Sequence, residues 1–380
     1  MRKKIIPFNK PFLTGNEIKY INKAHINGQL SGDGPFTIKC HEWIENFTQS
    51  KRTLVTHSCT AALEMTAILA NIKYGDEIIM PSYTFVSTAN AFVLRGAIPV
   101  FIDIREDTLN LNEKLIDSAI TSKTKAIIPV HYAGISCEMD TILDISKRNN
   151  LLVIEDAAQS FMSTYKGKPL GSIGDFGAYS FHETKNIISG EGGALIINNV
   201  DYVKRSEIIR EKGTDRTQFF RGLIDKYTWQ DLGSSFLPGE LVAAFLLAQL
   251  ESADELIRKR IEIWNNYHKL LKPLEDSGFL RRPIVPTESK HNGHMYYILL
   301  PSKNIRQEVI DYFKKNNIQL VTHYIPLHSS PAGLNYGKVH GDMALTNELS
   351  QRILRLPMWI GLTYNDQENI FELFKKYYRL

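Results

Sequence analysis

A chain of 380 residues is too long for one compact core, so two packed domains of unequal size are the first expectation. Hydrophobic residues make up 43% and charged residues 23%, ordinary globular usage that excludes a disordered, collagen-like or disulfide-scaffold chain. The 45 Lys and Arg exceed the 41 Asp and Glu only slightly and are spread along the sequence, which argues against a nucleic-acid partner.

In chain order, the basic start Met1-Arg-Lys-Lys is followed by Ile-Ile-Pro-Phe-Asn-Lys-Pro, with no apolar run long enough for a secretory leader. No later segment approaches a membrane span. The three cysteines, Cys40, Cys59 and Cys137, are an odd number at wide spacings, so neither a disulfide framework nor a CxxC metal site can be built from them. The chain reads as cytoplasmic, without membrane contact and without a metal, and in that compartment the Asn46-Phe47-Thr48 glycosylation pattern is a chance match.

From about residue 53 to about 200, short apolar runs alternate with segments of helical period, the pattern of an α/β domain with a mostly parallel sheet. Strands are predicted at Glu77–Met80, Pro99–Ile102, Lys125–Val130, Leu151–Ile154, Gly177–Phe181 and Ala194–Ile197, and helices at Cys59–Ala70, Ser87–Arg95, Asn112–Ile120 and Met139–Arg148. Apolar positions at helical spacing from 241 to 270 predict long helices leading out of this domain. The boundary is set near 250, giving a large domain over 1–250 and a smaller α+β domain over 251–380. In the latter, Met295–Leu300 reads as a strand, Arg306–Asn316 as a helix and Gln319–Tyr324 as a strand.

Three places carry chemistry. The apolar strand from Leu151 ends in Glu155-Asp156-Ala-Ala-Gln159, and in open α/β sheets ligands sit outside the carboxyl ends of strands. Taken alone, a carboxylate there is more often a helix cap than a ligand contact. Gly177-Ala-Tyr-Ser180-Phe-His182-Glu-Thr-Lys185 then places a lysine after another strand of the same sheet, backed by the glycine-rich Ser189-Gly-Glu-Gly-Gly193, where it could face one ligand together with Asp156. Thr56-His-Ser58-Cys59-Thr60-Ala61 opens a helix with small and hydroxylated residues. The free N–H groups and positive dipole end of such a start suit an anion, though as an isolated signal it is weak.

With these segments in view, the chain resembles the DegT/DnrJ/EryC1/StrS sugar aminotransferases over nearly its whole length. The resemblance rests on the ordered set Ser31-Gly-Asp-Gly34, Ser58-Cys-Thr-Ala-Ala62, Pro81-Ser-Tyr-Thr-Phe85-Val-Ser-Thr-Ala-Asn90, Pro129-Val-His-Tyr-Ala-Gly134, Glu155-Asp-Ala-Ala-Gln159, Ser180-Phe-His-Glu-Thr-Lys185 and His323-Tyr-Ile-Pro-Leu-His328. It implies the aspartate aminotransferase fold (fold type I) and the cofactor pyridoxal 5'-phosphate (PLP). Lys185 would hold the cofactor, Asp156 would face its ring nitrogen, and Phe85 would stack on the ring. Gln159 would sit near the ring hydroxyl, and Ser180 with the Thr60 and Ala61 amides would hold the phosphate. His182, Tyr324 and His328 would line the sugar pocket.

Within the family, Ile209-Arg-Glu-Lys-Gly-Thr214, Gln218-Phe-Phe-Arg-Gly222 and Asp225-Lys-Tyr-Thr-Trp229 resemble the group that aminates C4 of a dTDP-4-keto-6-deoxyhexose. The resemblance therefore implies L-glutamate and a dTDP-keto-sugar as substrates, and a homodimer with shared active sites. One departure stands out. Where many members carry Asn and Arg in a Gly-x-Asn-x-Arg segment, this chain has Ser235 and Leu237, so Ser235 occupies the place of the cross-subunit phosphate contact and no arginine there can grip a carboxylate.

Rival readings have less in their favour. An NAD-dependent sugar epimerase or dehydratase would need a GxGxxG after an early strand and a YxxxK, and neither is found. PLP-dependent dehydratases replace the lysine with histidine, whereas Lys185 is intact. A PLP-fold sensor without activity is disfavoured by the intact Lys185 and Asp156. Ser163-x-x-Lys166 lacks the companions of a β-lactamase, and His323, His328 and His340 are too loosely spaced for zinc.

Overall fold

The computed structural model describes residues 5–380. Seven strands form most of a central sheet: β1 (Arg52–Thr56), β2 (Glu77–Pro81), β3 (Ile98–Ile102), β4 (Thr124–Ile127), β5 (Leu152–Asp156), β6 (Phe176–Ser180) and β7 (Gly193–Ile197). With the two-residue segment Lys338–Val339 they make an eight-stranded sheet in the order β1-β7-β6-β5-β4-β2-β3-(338–339). Only β7 runs against its neighbours, β1 and β6; the other pairs are parallel.

All six strands predicted for this domain are present, within a few residues of the expected ends. The Lys125–Val130 prediction is shortened to β4 because Pro129 has no N–H to offer a ladder. β1 was not anticipated. The Asn112–Ile120 helix is corrected to a 3-10 turn at Glu113–Leu115 and a single turn at Ile116–Ala119, and the Asn112 side chain accepts from Lys114 N–H at its start.

Both faces of the sheet are covered, as a parallel sheet requires. Side chains alternate along each strand. Leu54, Met80, Ile154 and Leu195 pack with the Cys59–Leu69 helix on one face, while Val100, Ile127 and Val153 pack with the Met139–Asn149 helix on the other.

The same alternation separates the acidic pair ending β5. Glu155 follows Val153 to the second face, where it is fully buried and accepts from the Gly171, Ile173 and Gly174 N–H groups at 2.7 to 2.8 Å. His131 Nδ1 accepts from Cys137 N–H, which leaves Nε2 to donate to Glu155 at 2.9 Å. Glu155 thus holds the loop between β5 and β6. Glu155→Ala would orphan three amides and a histidine at once, and should lower stability by about 3–5 kcal/mol. Chemical denaturation of the two proteins checks this, and a loss below about 1 kcal/mol would refute it.

The smaller unit centres on β8 (Tyr296–Leu299) and β9 (Ile353–Leu356), which pair antiparallel. Helices Ala253–Leu270, Lys303–Lys315 and Tyr364–Tyr378 bury Trp264, Tyr267, Phe313, Ile370 and Phe374 against them. The strand predicted at Gln319–Tyr324 is reduced to single bridges, Ile318 to Ile6 and Val321 to Arg355. Beyond them the His323 carbonyl is met by a side chain instead of a ladder, accepting from the Tyr83 hydroxyl.

The chain also crosses the boundary set at 250. Ile6 joins the small-domain core, and Lys338–Val339 returns to the large sheet. The Ala253–Leu270 helix is shared, its first residues packing on the large domain and its last on the small one.

Candidate active site

A cleft of about 630 Å³ opens at the carboxyl ends of β5 and β6 and is closed from the other side by small-domain residues. Asp156 ends β5, Ser180 ends β6, and Lys185 lies in the loop between β6 and β7. All three line the cleft, so one bound molecule can touch them together. Gly193, at the start of β7, explains how the loop fits: a Cβ there would lie 2.4 Å from the Cys59 nitrogen and the Ser58 carbonyl carbon. Only glycine lets β7 close against the Cys59–Leu69 helix start.

Asp156 is buried and oriented. Thr88 Oγ1 donates to one carboxylate oxygen at 2.6 Å and Ala158 N–H to the other at 3.2 Å. Lys185 has no hydrogen bond from its side chain to the described residues. Burial pulls its pKa below the ordinary lysine value, Cys59 and Asp156 oppose that shift, and the Arg355 charge adds to it. The fold therefore favours the neutral amine, the form able to attack a carbonyl carbon.

A stability consequence follows from linkage. In cofactor-free protein, stability should rise as pH climbs from the lowered pKa towards the ordinary 10.5, where the unfolded amine also loses its proton. Lys185→Met, which buries no charge, should melt higher than wild type at neutral pH, with the gap closing above that window. Melting temperatures across pH check this; a gap independent of pH would contradict it.

The helix start predicted to hold a phosphate lies on the cleft wall. Ser58 Oγ accepts from Ala61 N–H at 3.0 Å, so that amide, which the resemblance assigns to the phosphate, is already occupied. The Cys59 and Thr60 N–H groups, at the first turn, have no partner within the helix. Thr60 Oγ1 and Ser87 Oγ share a hydrogen bond at 2.7 Å, and Thr60, Ser87 and Ser180 all line the cleft.

Gln159 accepts from Ala133 N–H and donates to Tyr324, which fixes both on the cleft wall. Phe85 is 57% exposed at the cleft, its ring 6.3 Å from that of Tyr324, an open aromatic face rather than a core side chain. His182 also lines the cleft, with Nδ1 against Thr184 and Nε2 3.6 Å from Glu191.

One expected residue lies elsewhere, and Ser235, expected to reach a partner's cleft, is outside its own. His328 is not on the cleft wall: its ring is held between Ser82 Oγ at 2.7 Å and Asn347 Oδ1 at 3.1 Å. Ser235 is exposed and outside the cleft of its own chain, beside Phe236, whose carbonyl accepts from His57 N–H.

Several lining residues were missed by the sequence reading. Thr88 lies inside a quoted segment, but only the structure shows it holding Asp156. Arg260, His294, His323 and Arg355 come from the small domain. Burial pushes the His323 and His294 pKa values down, so both rings stay neutral. Arg355 stands out in hindsight as a charge inside the apolar run Ile353-Leu-Arg-Leu356.

PLP fits this wall. The first-turn amides and the hydroxyls of Thr60 and Ser180 suit a phosphate, the oriented carboxylate of Asp156 suits a protonated ring nitrogen, and Lys185 provides an amine for the aldehyde. Among the described residues, no group of three or more His, Cys, Asp or Glu is placed to hold a metal ion, and no helix is long and apolar enough to cross a membrane.

Comparison with known proteins agrees with this geometry. The model of the DegT/DnrJ/EryC1/StrS aminotransferase family matches residues 11–375. Spore coat polysaccharide biosynthesis protein SpsC of Bacillus subtilis is 32% identical, covering 98% of this chain and 96% of that protein. GDP-perosamine synthase of Caulobacter vibrioides is 31% identical over 95% of each chain. Among solved structures, Spr1654 of Streptococcus pneumoniae in its PLP-form superposes with a TM-score of 0.88, 27% identity and 98% coverage of both chains. With Lys185 and Asp156 in one cleft and the family model matched almost end to end, the chain belongs to the DegT/DnrJ/EryC1/StrS aminotransferase family and is a PLP-dependent sugar aminotransferase.

Proposed function

We propose that the chain moves an amino group from L-glutamate to C4 of dTDP-4-dehydro-6-deoxy-D-glucose, giving dTDP-4-amino-4,6-dideoxy-D-galactose and 2-oxoglutarate, in building a cell-surface polysaccharide. The observation that carries an amino transfer is the pairing of an amine, Lys185, with an oriented carboxylate, Asp156, on one cleft wall. When bound, PLP supplies an electron sink for the carbon whose amine is exchanged. Asp156 would keep the ring nitrogen protonated, and the Lys185 amine would move the proton at that carbon. Phe85, Tyr324 and His182 form the sugar-facing wall. The dTDP assignment follows the resemblance of the 209–229 segments, and the polysaccharide role is in keeping with the SpsC relative.

A homodimer is part of this reading. The Arg216–Phe220 helix and the strand-like return to Trp229 lie outside their own cleft and expose Phe220 (70%) and Trp229 (79%). Such side chains suit contact with a second copy, and Ser235 follows directly to contribute to the partner's phosphate site. Sedimentation should give a dimer; a fully active monomer would overturn this part.

The GDP-perosamine synthase relative favours a second reading, a GDP-linked keto-sugar. Incubation with L-glutamate and the dTDP-, GDP- or UDP-linked 4-keto-6-deoxyhexose, with the product's configuration determined by NMR, separates the two. Turnover on the dTDP-sugar with the galacto product is expected, and turnover confined to a GDP- or UDP-sugar would refute the assignment.

A further inference from the structure

The cleft holds a half-buried cation that the contacts above leave unused. Arg355 lines the cleft from β9, and its Nε is buried with no hydrogen-bond partner. Among the described residues, no carboxylate comes within ion-pair range of its guanidinium. Phe8 lies beneath it, the guanidinium carbon 4.6 Å from the ring centroid, which fixes the plane of the group. The groups around it do not neutralise it. Tyr83, Tyr132 and Tyr324 are kept protonated by burial, His294 and His323 are kept neutral, and Arg260 is itself a cation, tied to the Gly293 and His294 carbonyls. A half-buried guanidinium on a cleft wall, its Nε buried and without a partner among the described residues, is built to receive an anion.

Three anions could enter: the cofactor's phosphate, the phosphates of a nucleotide sugar, and a carboxylate of the amino donor. The cofactor's phosphate has its own cup at the Cys59–Leu69 helix start. Arg355 and Lys185 line the same cleft, so an anion held by Arg355 shares the pocket of the reacting amine. In a 4-keto sugar, the phosphate leaves from the opposite side of the ring to the reacting carbon. In an amino acid, the carbon bearing the transferred amine also bears a carboxylate. Moreover, Leu237, which stands where many family members have an arginine, packs on the backbone at Gly32 and offers no charge.

We infer that Arg355 grips the carboxylate adjacent to the transferred amine and so sets specificity for an amino-acid donor. The inference rests on the aminotransferase reading with L-glutamate as donor. A planar guanidinium can meet a carboxylate with two parallel hydrogen bonds, which a lysine cannot reproduce.

The test mixes PLP-loaded wild type, Arg355→Met, Arg355→Gln and Arg355→Lys with L-glutamate and follows the cofactor's absorption band in the half-reaction. Both neutral variants should raise the apparent Kd for L-glutamate by roughly 30-fold or more, with Arg355→Lys in between and the KM for the keto-sugar changed less than about 3-fold. Using two neutral replacements guards against one that fails to fold. An unchanged Kd for glutamate, or a loss confined to the nucleotide sugar, would overturn the inference. If L-glutamate leaves the wild-type band unmoved, the donor in the proposed function is wrong, and the same comparison with the amino acid that does move it decides the role of Arg355.

Discussion

Lys185→Ala is expected to lower turnover by about 10,000-fold or more while the protein still folds. The side chain has no hydrogen bond to the described residues to lose, and burying its charge works against the fold at neutral pH, so stability should not suffer. Two functions disappear with the amine. In the proposed mechanism it is the nucleophile that anchors the cofactor and the base that moves the proton at the reacting carbon. The variant should still bind PLP through the helix start and Asp156, without the covalent link. Turnover close to wild type, measured with the keto-sugar and L-glutamate, would remove Lys185 from the chemistry.

Asp156→Asn should fold and bind the cofactor yet run about 1,000-fold slower. The amide keeps the shape of the carboxylate: its oxygen can still accept from Ala158 N–H while its NH2 donates to Thr88 Oγ1. What it loses is the negative charge that holds a proton on the ring nitrogen. Asp156→Ala is the less selective change, because it also leaves the Ala158 N–H unmet at a cost of about 1–3 kcal/mol. Measuring kcat beside the melting temperature separates the two effects. A slow Asp156→Asn that is also unfolded would reassign Asp156 to structure, and a fast one would exclude it from the mechanism.

These residues were legible because strand and turn chemistry is local. The period of the strands and the rule that ligands gather at their carboxyl ends placed Asp156 and Lys185 near one site, and the family resemblance gave them their roles. What the period could not decide was which acid faced the ligand by itself. The fold answers this through the pleat, sending Glu155 to the Gly171–Gly174 loop and Asp156 to the cleft.

The small domain's contribution was poorly legible because it depends on long-range pairing. Arg355 reaches the cleft because β9 pairs with β8 and bridges to Val321, and Phe8 lies beneath it because the N-terminal segment joins the small domain. No local pattern announces such contacts. His328 shows the converse: a histidine in a matching segment, His323-Tyr-Ile-Pro-Leu-His328, is spent on holding Ser82 and Asn347, while His323 and Tyr324 of the same segment do line the cleft. The 319–324 stretch read as a strand, but only single bridges hold it, and its His323 carbonyl accepts from the Tyr83 hydroxyl instead of a ladder.

The account depends above all on Lys185 being the residue joined to the cofactor, and chemical trapping reads this directly. Treating PLP-loaded protein with borohydride, then digesting it and mapping the peptides by mass spectrometry, should place the fixed pyridoxyl group on Lys185 alone. A label on another lysine, or none on the peptide containing Lys185, would contradict the site described here.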